Sequence, residues 1–278
     1  MIPIGLNLTS IGVSSAWWLD AARQAEAAGF TGAWCWDHFV SRGRKTDPVL
    51  ECWTTLTAAA AVTSRLRVGS FINNVMNRHP AVLARMLATL RDQSGGRVEL
   101  GIGVGGSGPE LPSYGIELPD PPVRSAVLEE AVAVIRLLWS GGPVDHDGRF
   151  FHLKQAYAHP SPEPPPRIIV GGEKPAGARL AARVGDGWTT NAEDYETLLP
   201  AHLEALSAAG RSRAQIAHLV AVSIEKEVPL DRQPLFADIA TFLGKWHDRG
   251  ADEVIVSWVK PADLPALLEA GARAGIAG

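Results

Sequence analysis

Cysteine is almost missing: Cys35 and Cys52 are the only two in 278 residues, and they lack Cys-x-x-Cys spacing. A disulfide framework and a cysteine zinc site are therefore excluded, no metal site is expected, and two reduced, buried thiols remain as the expectation. An excess of positive charge is missing too, since 26 basic residues face 30 acidic ones for a net charge of −4. Without a basic tail or stripe, nucleic acid and anionic membranes are not expected partners, although a few local donors can still bind a small anion. No apolar run reaches the length of about 18 residues that marks a membrane span. The opening MIPIGLNLTS has no basic region followed by an apolar core, so a cytoplasmic protein is expected.

What is present is a composition of 46% hydrophobic and 20% charged residues, which suits a soluble globular protein. The length fits one large domain, residues 1–278. Short β-like runs alternate with longer helical ones along it. Ile2–Leu8 precedes an Ala-rich helix from about Ser15 to Ala28, where Ala21, Ala22, Ala25 and Ala28 recur at helical spacing and Gly29 supplies the stop. Later strands are expected at Gly32–Trp36, Leu66–Ile72, Arg97–Ile102, Arg167–Val170, around Trp188–Thr190, His218–Ile224 and Glu253–Val256. Helices are expected up to Ser64, over Pro80–Gln93 and Val123–Trp139, after Pro175, through Ala209, near Leu235–Arg249 and from Ala262. Proline at the start of the Pro80 helix suits a first turn, where an N–H would have no partner.

The stretch at about 141–166 breaks the alternation. Its "DHDGRFFHL" reads as a hairpin at an Asp-Gly turn, and "HPSPEPPP" as an extended connector. Continuous Val/Ile/Leu strands belong to parallel sheets buried on both faces, and repeated strand-helix units close most simply into a (β/α)8 TIM barrel. An open doubly wound sheet is the alternative.

In a barrel, function collects where the strands end in the C-terminal direction. "WCWDHF" places Asp37 and His38 at the end of the second strand, and an imidazole titrating near neutrality is a ready acid or base. After the third strand, "SFINNVMNRHP" mixes apolar Phe71 and Ile72 with Asn73, Asn74 and Asn77, whose amides suit a heterocycle. "GIGVGGSGPE" follows the fourth, and Gly103, Gly105 and Gly106 there let a flat ligand approach the backbone. It is not a dinucleotide fingerprint, because no helix follows at the required spacing. After the fifth strand, "VGGEKPAGARLAARVGDGW" sets Gly171 and Gly172 before a helix, where free N–H groups and the positive helix end suit an anion or phosphate. Lys174 reinforces that charge and Glu173 opposes it.

With these segments in order, the sequence resembles the bacterial luciferase-like family of flavin-dependent monooxygenases and F420-dependent oxidoreductases. The resemblance rests on the glycine-aromatic-"DHF" segment, "TSRLRVGS", "RHPAVLARMLATLRDQSGGRVELGIGVG" and "PPRIIVGGEKPAGARLAARVGDGW", and covers nearly the whole chain. It implies a (β/α)8 barrel, a homodimer, a small-molecule substrate and coenzyme F420, with FMN as the alternative cofactor; a cofactor-binding relative without turnover is the remaining reading. It also implies that Asp37 and His38 lie against the deazaflavin, that Phe71-Ile72 is a non-prolyl cis peptide under the ring, and that Gly171 and Gly172 hold the cofactor phosphate. In the sugar-phosphate dehydrogenases of the family a catalytic glutamate sits in the glycine loop. The aligned position here is Gly106, and Glu110 matches a later acid that is expected to be either the second half of an acid/base pair or a residue that orders the loop.

Overall fold

The computed structural model describes residues 1–41, 43–106 and 108–276. In chain order its elements are β1 (Ile4–Leu8), α1 (Ser15–Ala27), β2 (Gly32–Cys35), α2 (Cys52–Val62), β3 (Arg67–Asn74), α3 (Pro80–Ser94), β4 (Val98–Gly103) and α4 (Glu110–Ser113). They continue with α5 (Pro121–Trp139), β5 (Val144–Asp147), β6 (His152–Ala156), β7 (Ile168–Gly171), α6 (Pro175–Val184), β8 (Gly187–Asn191) and α7 (Ala192–Ala208). The last are β9 (Ala217–Ser223), α8 (Pro234–Ala237), α9 (Ile239–Asp248), β10 (Glu253–Val259) and α10 (Leu264–Ala274).

Strand β1 pairs in parallel with both β2 and β10, which closes the order β1-β10-β9-β8-β7-β4-β3-β2 into a barrel and excludes the open sheet. Strands β5 and β6 stand outside it as an antiparallel hairpin. Helix α1 keeps small residues against the barrel, whereas α5 buries Leu128, Ile135, Leu138 and Trp139. On α1 the buried face is Trp18, Ala21, Ala22 and Ala25, so three alanines let the helix axis sit close to the strands. Helix α3 starts with Pro80 at its first turn, is capped by His79 Nδ1 accepting from the Ala81 N–H at 3.2 Å, and stops at Gly95 with φ +65°.

Inside the barrel, Trp34 packs with Phe71, Ile169, Leu219, Ala221 and Ile255, separately from the larger core between strands and helices. Its ring lies where Cβ atoms on Gly5, Gly32 and Gly69 would stand, at 2.0, 2.3 and 3.0 Å. Only glycine fits at these three places. Beneath it, Arg67 reaches Glu99 at 2.9 Å and also pairs with Glu253, while Arg167 Nε donates to Glu99 at 2.9 Å. Burial pushes the Glu253 carboxyl up although Arg67 pulls it down. This ionic layer seals the N-terminal end, so the open end is the other one.

Three local expectations are corrected. The helix expected near Leu235–Arg249 is divided at Asp238, whose Oδ1 accepts the Thr241 N–H at 3.0 Å and starts α9 afresh. The Asp-Gly turn of the hairpin is replaced by a four-residue loop, since Asp147 pairs with His152. There the Glu130 carboxylate on α5 accepts the N–H groups of Arg149, Phe150 and Phe151 at 3.1, 3.1 and 2.9 Å, so a distant acid, not local turn chemistry, shapes the loop. Helix α4, inside the Gly/Pro stretch, is additional.

Candidate active site

At the end of β2, Asp37 and His38 diverge. The Asp37 side chain is 2% exposed and accepts from Arg78 Nη1 at 2.9 and 2.8 Å, from Asn77 Nδ2 at 2.9 Å and from the Asn74 N–H at 3.1 Å. Its lone pairs are spent. The expectation of a catalytic, cofactor-contacting Asp37 is thereby corrected: its carboxylate is a buried strut tying the end of β2 to the end of β3. Arg78 carries the load further, donating to Asn73 Oδ1 at 3.1 Å and pairing with Glu51, which caps α2 through the N–H groups of Trp53 and Thr54. Asn73 is fully buried and also accepts from Trp53 Nε1 at 3.0 Å. It supports the wall and offers no donor to the mouth, contrary to the sequence expectation.

His38 faces the mouth. Its Nδ1 lies 2.9 Å from Glu110 Oε2, and both side chains are about one quarter exposed, at 23% and 26%. Glu110 Oε1 accepts the N–H groups of Phe39 and, at 3.2 Å, Val40. Burial raises the Glu110 carboxyl, but the hydrogen bond from His38 and those two amides outweigh it and leave it below the usual range. An ionised Glu110 accepts a proton-bearing Nδ1, which directs the second ring nitrogen, Nε2, to chemistry. Gly106, where the resemblance places the family's glutamate, has no side chain; the acid of this loop that meets His38 is Glu110, which also orders the Phe39–Val40 backbone.

The ring of Trp36 stands edge-on to His38 at 5.2 Å and to Trp258 at 3.8 Å. Trp258 has φ +62°, a left-handed conformation that costs a non-glycine residue roughly 1–2 kcal/mol, and its N–H donates to Asn7 Oδ1 at 3.4 Å. It was not singled out by the sequence reading, and neither was Arg78. "NRHP" carries an arginine beside three asparagines, but only the fold shows what it clamps.

The Phe71-Ile72 peptide is cis. Pairing of β3 with β4 shifts register between Ser70 and Asn73, and the Ile72 side chain crosses the mouth where Cβ atoms on Gly103 and Gly171 would lie 2.5 and 2.2 Å from its Cδ1. The room at these two glycines belongs to Ile72, not directly to a ligand. Gly105, with φ +77°, packs on the Asn74 side chain, whereas a Cβ on Gly106 would meet nothing within 4 Å. Among the described glycines of this loop the open positions are Gly106 and Gly108.

Beyond β7, the Gly172 N–H donates to Thr189 O at 3.0 Å, so it is not a free anion donor as expected. Its glycine is required for another reason: a Cβ would stand 2.6 Å from the Gly177 backbone. Helix α6 begins without a side-chain cap and without an acid in its first turn. The donors that fit an anion are therefore the amides of Ala176 and Gly177, with exposed Lys174 beside them and exposed Glu173 turned to solvent.

A cavity of about 280 Å³ opens beside Trp258, lined by Thr9, Ile11, Val13, Ser41 and Lys260. A larger one, about 540 Å³, lies on the outer flank of α5 and α6, where Arg136 and Arg183 are already paired with Asp186 and Glu129. The smaller cavity reaches His38 only through the Trp258 and Trp36 rings.

Residues 12–224 match the family model described as luciferase-like monooxygenase. The chain belongs to the luciferase-like monooxygenase family. Among curated relatives, F420-dependent glucose-6-phosphate dehydrogenase of Microbacterium testaceum is 33% identical over 80% of this chain and 69% of its own length. The enzyme of the same name from Kineococcus radiotolerans is 35% identical, covering 77% of this chain and 64% of the relative. This luciferase-like chain thus spans about two thirds of the length of these relatives. Among solved structures, an F420-dependent secondary alcohol dehydrogenase in complex with an F420-acetone adduct superposes with a TM-score of 0.85 at 23% identity, covering 100% and 99% of the two chains. The F420-dependent tetrahydromethanopterin reductase of Methanopyrus kandleri gives 0.78 at 19%, covering 97% of each. At such identities the structural likeness concerns the fold.

Proposed function

We propose that this luciferase-like protein is an F420-dependent oxidoreductase that moves a hydride between the deazaflavin and a small organic substrate. The observation that carries the reading is the His38–Glu110 pair, half-buried at the barrel mouth beside the cis Phe71-Ile72 turn. Relatives at 33% and 35% identity named as F420-dependent support it. Bound F420 would supply the carbon that gives or receives the hydride.

The residues present fit such a group. The Phe71-Ile72 turn and Ile72 form a floor for a flat ring, the open backbone at Gly106 admits its edge, and the uncapped start of α6 with Lys174 suits its phosphate. His38 Nε2 then delivers a proton to the substrate oxygen or nitrogen in reduction, or removes it in oxidation, while Glu110 holds the imidazole in orientation and balances its positive charge. Asp37 and Arg78 keep the backbone under His38 in place. Trp36 and Trp258 wall the substrate side with rings, which favours a compact, largely apolar substrate reaching into the cavity beside Trp258 over a phosphorylated sugar.

The family model's name supports a second reading, an FMN-dependent monooxygenase. Equilibrium titration with oxidised F420 and with FMN tests both. Tight F420 binding with weak FMN binding is expected; tight FMN binding without F420 binding overturns the first reading, and binding of neither favours a relative without turnover. A homodimer in the cytoplasm belongs to the same proposal, with light scattering and cell fractionation as its tests. Among the described residues no helix is long and apolar enough to cross a membrane.

A further inference from the structure

Arg124 is the buried charge that the proposed chemistry does not use. It sits in the first turns of α5, is 5% exposed, and its Nη1 donates to three successive carbonyls, Val104 O at 3.1 Å, Gly105 O at 2.6 Å and Gly106 O at 3.1 Å. Among the described residues each of its hydrogen bonds goes to a carbonyl, and its buried Nε has no partner. A cation in this place is unfavourable twice over. It is desolvated without a carboxylate, and it stands at the positive end of a helix whose first turn carries no acid. Packing alone calls for an apolar side chain there.

The three carbonyls give the arrangement its sense. In a planar trans peptide the C=O and the following N–H point in opposite directions. Drawing Val104 O and Gly105 O onto one guanidinium nitrogen therefore turns the N–H groups of Gly105 and Gly106 away from Arg124. A Cβ on Gly106 would stand in open space, and Gly105 rests on Asn74, whose own N–H is bound by Asp37. The same loop leads on to Glu110, which meets His38.

We propose that Arg124 is a positioning residue: by gathering the carbonyls of Val104, Gly105 and Gly106 it turns the Gly105 and Gly106 amides toward the mouth and, through this start of the loop, holds Glu110 against His38. This rests on the reading of the mouth as the F420 site for its functional consequence, though not for its structural one. Arg124→Met and Arg124→Lys in the full chain separate the two. For Arg124→Met the F420 dissociation constant is expected to rise at least about tenfold. The Glu110 carboxyl, followed by NMR of carbon-13-labelled glutamate with Glu110→Gln for assignment, is expected to titrate at higher pH than in the parent. Arg124→Lys, which keeps a buried donor and charge, is expected to restore part of both, and it is the variant to read if the methionine variant does not fold. A fall in thermal stability with Glu110 titration and F420 affinity unchanged makes Arg124 merely structural and overturns the proposal. If the parent protein fails to bind F420, the cofactor reading falls, while the Glu110 titration still decides the role of Arg124.

Discussion

His38 and Asp37 are consecutive residues in opposite surroundings: one imidazole edge meets the mouth, whereas the neighbouring carboxylate is enclosed by Arg78, Asn77 and the Asn74 N–H. Substitution should separate them. His38→Ala is expected to slow turnover by roughly 10²–10⁴-fold with little change in F420 affinity, as single-turnover kinetics and titration will show. Asp37→Asn removes one of the two carboxylates that compensate Arg78; an uncompensated buried charge costs roughly 3–5 kcal/mol, and Glu51 keeps the loss below that, so the main effect should be a lower denaturant midpoint. If Asp37→Asn kept full stability and lost only activity, the strut reading would be wrong. The sequence shows Asp37 and His38 as a pair because adjacency is written in it. It does not show Arg78 and Glu110 as their partners, or Trp258 as the partner of Trp36, since those contacts span 41, 72 and more residues and depend on how loops after different strands return to one mouth.

At the scale of elements, barrel strands and their helices are readable because local signals agree: Val/Ile/Leu runs, alanine faces, Pro80 at a helix start and Gly95 at its end. Where a distant side chain decides, local signals fail. Glu130 sets the β5–β6 loop from α5, and the glycines of "VGGEKP" answer to helix packing as well as to an anion. Gly172→Ala is accordingly expected to destabilise the protein by about 1–3 kcal/mol, because its Cβ must displace the Gly177 backbone at the start of α6. Chemical denaturation measures this directly. Weaker F420 binding should accompany it as α6 moves; unchanged stability would show that the β7–α6 junction can absorb the methyl group.

The whole molecule carries a pH dependence seated far from His38. His202 and His218 are fully buried among Trp188, Tyr195 and Trp246; burial lowers His202 to about 4 and His218 to about 2, with nearby arginines adding to the effect. Both folded values lie below the ordinary 6.5, so the unfolded chain takes up protons that the folded one refuses. Stability from these groups is complete above pH 6.5 and falls as the pH drops toward 4, with His218 extending the loss further. Denaturant midpoints between pH 7 and roughly 5, above the ordinary carboxylate range, should decline, and the decline should be shallower in His202→Gln; a flat profile would contradict the burial of both rings. Barrel closure itself was readable from the repeat, but no local pattern marks which histidines are sealed away, because β8, α7 and β9 bring them together.

Trp34 has a consequence of a different kind. Its indole occupies the volume that side chains on Gly5, Gly32 and Gly69 would take, so three strands have surrendered their side chains to one residue of β2. Gly32 and Trp34 form an epistatic pair: a methyl group gained at Gly32 meets only the indole and is acceptable once the indole is lost, whereas one at Gly69 would still stand 2.8 Å from the Glu99 carbonyl. Divergence at Gly32 must therefore proceed through a paired change, with Trp34 shrinking first, while Gly69 stays a glycine as long as the Glu99 carbonyl keeps its place.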